Sequence, residues 1–177
     1  MHKITVSIIL FSCLFIGAVT PEKSSPAPKL QWMTLKEAEQ AMLKEKRPIL
    51  IDLYTSWCGW CKVMDKKTYT NPKVIAYLQE HFYPVKINAE TKETLSFNQK
   101  DYQYNARNRA NDFAVFLTYG QLSFPTTIIL PTDNSGPQPV PGYLEPKDLE
   151  LIVRYFGEGK YGKQPFEAYR QSFKGEW

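Results

Sequence analysis

The chain has 177 residues and a formal net charge of +4, from 22 basic and 18 acidic side chains. An excess of positive charge this small does not indicate a nucleic-acid-binding protein. The first 20 residues are more apolar than the rest of the chain. About 150 residues remain beyond them, enough for one domain with a hydrophobic core.

Residues 4–19 form an apolar stretch behind Lys3, which is typical of a secretory signal peptide. We assign residues 1–20 to this signal. The stretch is shorter than the roughly 20 apolar residues that span a membrane. The residues before Cys13 also resemble a bacterial lipobox, so a lipid anchor at Cys13 and an uncleaved anchor stay open as alternatives. All three place the domain in the periplasm or another extracytoplasmic space.

Residues 21–29 contain three prolines and two serines and are interpreted as a flexible linker. The predicted domain covers residues 30–157. Its first element is a helix that begins with the capping-box pattern of Thr34 and Glu37 and ends before Pro48. The continuous apolar run that follows predicts a buried strand.

A Cys-x-x-Cys pair, Cys58 and Cys61, lies between that strand and the polar, helix-favouring residues 62–70. The first N–H groups of a helix lack intrahelical partners and carry the positive end of the helix dipole, which lowers the pKa of a thiol placed there. We expect Cys58 to be the more exposed, attacking sulfur. Cys61 lies on the same helical face, at a spacing that suits a disulfide, and would resolve the mixed disulfide.

The same spacing is also half of a structural zinc site, which needs four ligands. The other His and Cys residues are His81, far along the chain, and His2 and Cys13 in the leader. Carboxylates would therefore have to complete the site, so we predict no metal. An inert structural disulfide is the second alternative. The strand-to-helix position favours a redox pair over both.

The sequence from Ile51 to Lys62, IDLYTSWCGWCK, resembles the active-site segment of the thioredoxin superfamily. It is most similar to extracytoplasmic branches such as the C-terminal domain of the disulfide reductase DsbD, and residues 68–74 continue the similarity. The resemblance implies an α/β thioredoxin fold, with a central mixed β-sheet flanked by helices.

The resemblance also implies roles for single residues. Asp52 matches the buried acid that assists proton transfer from the resolving thiol, and burial raises the pKa of such a carboxyl. Phe124 and Pro125 match the cis-proline loop that offers main-chain hydrogen bonds to an extended substrate. Trp57 matches the tryptophan beside the attacking cysteine, and Lys86 a lysine that approaches the buried acid. The alternatives are that Asp52 is solvated at the sheet edge, that Phe124 and Pro125 form an ordinary trans turn and that Lys86 faces solvent.

Between the cysteines this chain has Gly59 and Trp60 where thioredoxins usually have Gly-Pro. This dipeptide tunes the reduction potential, which spans about −270 to −120 mV in the superfamily. We count Trp60 among the predicted substrate-binding residues. The only redox group that we expect is the Cys58–Cys61 disulfide itself, without a cofactor.

Asn71 followed by proline predicts a helix to about residue 82, and residues 83–88 predict the next strand. Residues 91–111 are rich in Asn, Gln, Tyr and charge and form an insertion before a helix predicted over residues 110–119. The insertion is either a solvated excursion or a lid near the dithiol. In the second case its contact residues would be Tyr102 and Tyr104.

The β-branched run after Pro125 predicts a strand, and residues 133–136 predict a turn. Residues 140–144 fit an edge strand. A closing amphipathic helix and an aromatic tail over residues 158–177 follow.

Together these features predict an extracytoplasmic thiol-disulfide oxidoreductase that reduces or isomerises protein disulfides. We expect a monomer without nucleic acid, supplied with electrons by a membrane donor because an oxidising compartment lacks the cytosolic reductant. The alternative is a redox-inactive or accessory binding module for cytochrome c or metal-site maturation. Copper carriers of this fold usually have wider cysteine spacing and a histidine ligand, which are absent here.

Overall fold

A four-stranded mixed β-sheet forms the centre of the computed structural model, which describes residues 28–177. The predicted signal peptide over residues 1–20, the alternative anchor at Cys13 and most of the linker lie outside the described residues. Within residues 28–177, no helix is both long and apolar enough to cross a membrane.

The strands along the described chain are β1 (Ile49–Tyr54), β2 (Tyr83–Asn88), β3 (Leu95–Phe97), β4 (Lys100–Tyr102), β5 (Tyr104–Asn105), β6 (Ala110–Asn111), β7 (Thr126–Leu130) and β8 (Gln138–Pro141). The helices are α1 (Leu35–Lys44), α2 (Gly59–Lys67), α3 (Pro72–His81), α4 (Asp112–Leu117), α5 (Pro146–Gly157) and α6 (Phe166–Ser172).

The central sheet has the order β2-β1-β7-β8, with β1 parallel to β2 and the other neighbours antiparallel. The strands predicted over residues 49–54 and 83–88 are confirmed. The edge strand lies at Gln138–Pro141 and not at residues 140–144. Gly142 has a φ of +100°, in the left-handed region, and turns the chain out of the sheet, so that the strand ends three residues earlier than predicted.

Helices cover both faces of the sheet, and the side chains of β1 alternate between them. Ile51 and Leu53 point into a core shared with α1 and α4. Leu50 points into a second core shared with α2, α3 and α5. The central mixed β-sheet flanked by helices, which the resemblance implied, is confirmed.

Two of the predicted helix starts are confirmed by their caps. The Thr34 side chain accepts from the N–H of Glu37, and the Glu37 carboxylate accepts from the N–H of Thr34, which completes the capping box of α1. The Asn71 side chain accepts from the backbone N–H groups of Lys73 and Val74 at the start of α3.

The insertion is folded and buries Phe97 and Tyr102, contrary to the expectation of a solvated excursion. It forms two antiparallel hairpins, β3–β4 and β5–β6. Tyr102 is buried, with its ring centroid 5.0 Å from that of Phe113, so it is a core residue and not a contact residue for partners. Tyr104 is half-buried.

The helix predicted over residues 110–119 begins later, at Asp112. Asn111 is fully buried and caps α4 by accepting from the N–H of Phe113 at 2.9 Å. Its amide nitrogen donates to the carbonyl oxygens of Glu93 at 3.0 Å and Tyr102 at 3.4 Å. Because Asn111 joins the insertion to the helix, the two residues before Asp112 form strand β6 instead of the first helical turn.

The aromatic tail folds back on α5. Tyr169 of α6 is buried, with its ring 5.3 Å from that of Tyr155. The fully buried carboxylate of Glu150 accepts from the backbone N–H groups of Glu176 and Trp177 and from Arg154. The tail is therefore packed on the domain through α6 and this buried carboxylate.

We expect Asn111→Ala to lower the free energy of unfolding by about 2–3 kcal/mol, because it removes a helix cap and two buried hydrogen bonds. The matched control is Asn71→Ala, which removes only a cap and should lower it by about 1 kcal/mol. Urea denaturation of both variants measures the difference. Equal losses would show that the bonds from Asn111 to the insertion contribute nothing.

Candidate active site

The two cysteines form a disulfide at the point where β1 leads into α2, with their Cα atoms 5.3 Å apart. Cys58 is the N-cap residue of α2, and its Sγ accepts from the backbone N–H of Cys61 at 3.0 Å. The N–H of Cys58 in turn donates to the carbonyl of Thr55 at 3.2 Å. The predicted position of the pair at a helix start is confirmed.

In the oxidised pair the two cysteines are almost equally buried, with 4% of Cys58 and 3% of Cys61 exposed. The expected greater exposure of Cys58 amounts to only a small difference in this state. The N-cap geometry turns the Sγ atom of Cys58 toward the first turn of the helix, and the disulfide holds it there.

Two exposed tryptophans flank the buried disulfide. Trp57 is 65% exposed, its indole N–H donates to Glu90 at 3.0 Å, and its ring meets that of Phe124 edge-on at 6.0 Å. Trp60 is 62% exposed and its ring lies 5.4 Å from that of Tyr143. Large exposed apolar side chains of this kind mark interaction surfaces when they cluster.

The Phe124–Pro125 peptide bond is cis, as the sequence resemblance implied. Pro125 is buried and directly precedes β7. Its carbonyl accepts from the N–H of Gly142 at 2.8 Å, which joins the proline loop to the loop that carries Tyr143.

Asp52 lies in the middle of the central strand and is only 2% exposed. Its strand neighbours are Lys86 on β2 and Thr127 on β7. Its Oδ2 atom pairs with the Lys86 ammonium at 2.5 Å, and its Oδ1 atom has no hydrogen-bond partner among the described residues. The predicted burial of Asp52 and the approach of Lys86 are confirmed.

Burial and the ion pair act on Asp52 in opposite directions. Desolvation raises the pKa of Asp52, and Lys86 lowers it by its charge and its hydrogen bond; the result is a raised pKa. Burial also lowers the pKa of Lys86, but its pairing with Asp52 and Asp65 outweighs this and leaves the lysine pKa raised. We expect the desolvation effect to dominate at Asp52 because only one of its two oxygens is paired.

Three neighbours of the site were missed by the sequence reasoning: Glu90, Asp65 and Tyr143. Glu90 lies just after β2, and nothing local marks it as the partner of Trp57. Asp65 follows Cys61 by one helical turn, and that spacing was the available signal. Tyr143 contacts Trp60 because the antiparallel pairing of β8 with β7 brings the loop after β8 to this end of the sheet.

Within residues 28–177, no group of three or more His, Cys, Asp or Glu side chains is placed to hold a metal ion. The zinc alternative would need both cysteines as thiolates, whereas here their sulfurs are bonded to each other.

Residues 22–146 match a family model described as "Thioredox_DsbH: Protein of unknown function, DUF255". The chain belongs to the Thioredox_DsbH family. Its central sheet, flanking helices and Cys58–Cys61 disulfide are those of a thioredoxin-like oxidoreductase fold.

Curated relatives are thiol:disulfide interchange proteins DsbD. The protein from Escherichia coli K12 is 40% identical over 45 residues, which are 25% of this chain and 8% of that protein. The protein from Neisseria meningitidis is 28% identical over 114 residues, covering 63% of this chain and 16% of that protein. The matched stretches thus span a small part of these longer relatives.

Solved structures share the fold. One described as "DsbH Oxidoreductase" has a TM-score of 0.55 at 16% identity and covers 79% of this chain and 94% of its own. A thioredoxin-fold protein from Helicobacter pylori has a TM-score of 0.57 at 18% identity, covering 71% and 83%. Identities this low establish the fold and nothing finer.

The raised pKa of Asp52 predicts how Asp52→Asn changes stability with pH. The folded protein holds the Asp52 proton more tightly than the unfolded chain does. The free energy of unfolding of wild type therefore falls as the pH rises from the aspartate pKa of the unfolded chain to the raised pKa of the folded protein. We expect the oxidised Asp52→Asn variant to gain stability relative to wild type across this interval and to keep the gain at neutral pH. Lys86 titrates far above this range and does not alter the sign.

Urea unfolding of both proteins from about pH 4 to about pH 8 checks this prediction. A variant that loses stability relative to wild type as pH rises would show that the ion pair with Lys86, and not burial, controls Asp52.

Proposed function

We propose that this protein is an extracytoplasmic thiol-disulfide oxidoreductase that reduces or isomerises disulfides in other proteins. The observation that carries the proposal is the place of Cys58 at the N-cap of α2, where its sulfur accepts the N–H of Cys61. An N–H aimed at this sulfur favours the thiolate, which is the nucleophile in disulfide exchange.

In the reductive direction both cysteines begin reduced, Cys58 as the thiolate and Cys61 as the thiol. The Cys58 thiolate attacks one sulfur of a substrate disulfide, forming a mixed disulfide and releasing the other substrate sulfur as a thiolate. The Cys61 sulfur then gives up its proton and attacks Cys58, which forms the Cys58–Cys61 disulfide and releases the second substrate thiol. Two electrons pass from the dithiol to the substrate, and a donor dithiol must restore them.

Asp52 is the proposed proton acceptor for Cys61. It is a buried acid whose raised pKa brings it closer to neutral pH, where a carboxylate can take a proton and return it. The Lys86 ammonium keeps that pKa from rising further. The chemistry then needs no cofactor beyond the cysteines themselves.

The proposed substrate surface is built from Trp57, Trp60, Phe124 and Pro125, with Tyr143 added by the structure. Trp57 and Trp60 lie next to the cysteines in the chain and are largely exposed, and their rings contact those of Phe124 and Tyr143. Exposed aromatic area of this kind suits a polypeptide segment. One cavity of about 320 Å³ lies elsewhere, lined by residues including Phe116, Tyr119 and Pro131, and neither cysteine borders it. A protein disulfide that docks on the open surface fits this arrangement.

The proposed location is the periplasm or another extracytoplasmic space, and the proposed electron donor is a membrane protein. The apolar leader supports the location, and the curated DsbD relatives support a thiol-bearing protein partner. We also propose that the protein acts as a monomer and does not bind nucleic acid.

The order of attack predicts different behaviour for two matched variants. We expect Cys61→Ser to accumulate a stable mixed disulfide with insulin, because no resolving thiol remains, and Cys58→Ser to trap little. Non-reducing electrophoresis after incubation with insulin checks this. Equal trapping by both variants would reverse the assigned roles, and a wild-type protein unable to reduce insulin with dithiothreitol present would favour a redox-inactive module.

The reduction potential tests the direction of electron flow. We expect equilibration with glutathione to place the dithiol nearer to about −270 mV than to about −120 mV, the values of a reductase and of a strong oxidant. A potential at the oxidising end of this range would contradict a reductase.

A further inference from the structure

The Lys86 ammonium lies inside a cage of three aromatic rings. The ring centroid of Tyr54 is 4.8 Å from the Nζ atom, that of Trp32 5.3 Å and that of Tyr69 5.8 Å. All three distances fall within the range at which a ring face attracts a cation. Trp32 and Tyr69 also contact each other edge-on at 4.9 Å.

The caged ammonium belongs to an ion-pair network that runs from the protein interior to its surface. Lys86 contacts both the buried Asp52 and the part-exposed Asp65. A lysine side chain has a long, flexible stem, and without fixed neighbours it would sample solvent. The three rings surround the ammonium at the point where it meets Asp52.

The walls of the cage come from separate parts of the chain. Tyr54 ends β1 and Tyr69 follows α2, whereas Trp32 belongs to the segment before α1. Met33, next to Trp32, bridges to Val85 on the outer side of β2. This pairing places Trp32 beside Lys86.

We propose that Trp32, Tyr54 and Tyr69 are positioning residues that hold the Lys86 ammonium against the Asp52 carboxylate. The proposal rests on the proposed function only in giving that carboxylate a part in catalysis. The Trp32 ring contacts the Lys86 ammonium, so loss of the ring frees the ammonium. With a weaker countercharge, the Asp52 carboxylate takes up a proton at higher pH.

The charged and titratable groups that face Asp52 influence its pKa. Lys86 comes from β2, Asp65 from α2 and Tyr69 from the turn after α2, while β7 contributes Thr127, which does not titrate. Burial and the neighbouring Asp52 raise the pKa of Tyr69 well above its ordinary value, so its hydroxyl stays neutral. Lys86 is thus the positive charge whose position the cage controls.

The test is a carbon-13 NMR titration of the Asp52 carboxyl in the oxidised protein, assigned by comparison with Asp52→Asn. We expect Trp32→Ala to raise the Asp52 pKa by about half a pH unit, and Lys86→Met to raise it further. In the Lys86→Met background Trp32→Ala should cause no additional rise, because it acts through the lysine.

Trp177→Ala is the matched control. Trp177 is also half-buried against the same core, but its ring lies near Arg154 and Tyr77 instead of Lys86. This variant should leave the Asp52 pKa unchanged. The proposal is overturned if Trp177→Ala moves that pKa as far as Trp32→Ala, or if the effects of Trp32→Ala and Lys86→Met simply add.

The titration does not depend on turnover. If wild type fails to reduce insulin while Trp32→Ala still raises the Asp52 pKa through Lys86, the proposed function fails and the cage stands. If wild type reduces insulin and Trp32→Ala leaves that pKa unchanged, the cage fails and the proposed function stands.

Discussion

A carboxylate buried in the middle of a β-sheet constrains everything around it. Asp52 lies on the central strand, so its immediate neighbours are fixed by the pairing of β1 with β2 and β7. The register places one cation, Lys86, on one side and the neutral Thr127 on the other. Since an unpaired buried charge is strongly unfavourable, the parallel pairing that brings Lys86 to Asp52 makes an ionisable group tolerable in the interior.

The sequence contained the local part of the site and little of its long-range part. Cys58 and Cys61 could be placed because a strand, a turn and a helix follow one another within a few residues, and local periodicity reveals each of them. The family resemblance supplied Asp52 and Pro125. By contrast, Glu90, Tyr143 and Trp32 reach the site through strand pairing and loop contacts, which leave no mark in the nearby sequence.

The insertion over residues 91–111 is a second place where the local sequence did not predict the structure. Its polar composition predicted a solvated segment, yet Phe97 and Tyr102 are buried in the core shared with α1 and α4. Two hairpins satisfy the backbone, and a few apolar residues then suffice to anchor them. The average composition of the segment is polar and therefore does not reveal these two buried residues. Asp52 shares its sheet face with Leu50, which points into the other core, so the insertion packs on the face away from the acid.

The short stretch before α1 has a consequence for where this domain begins. Met33 donates its N–H to the carbonyl of Pro84 at 2.8 Å and bridges to Val85, which covers part of the outer margin of β2. Uncovered strand margins are templates for pairing with other chains. A polypeptide trimmed back to the first helix would expose this margin and promote self-association and aggregation, even though Cys58, Cys61 and the elements that carry them were kept.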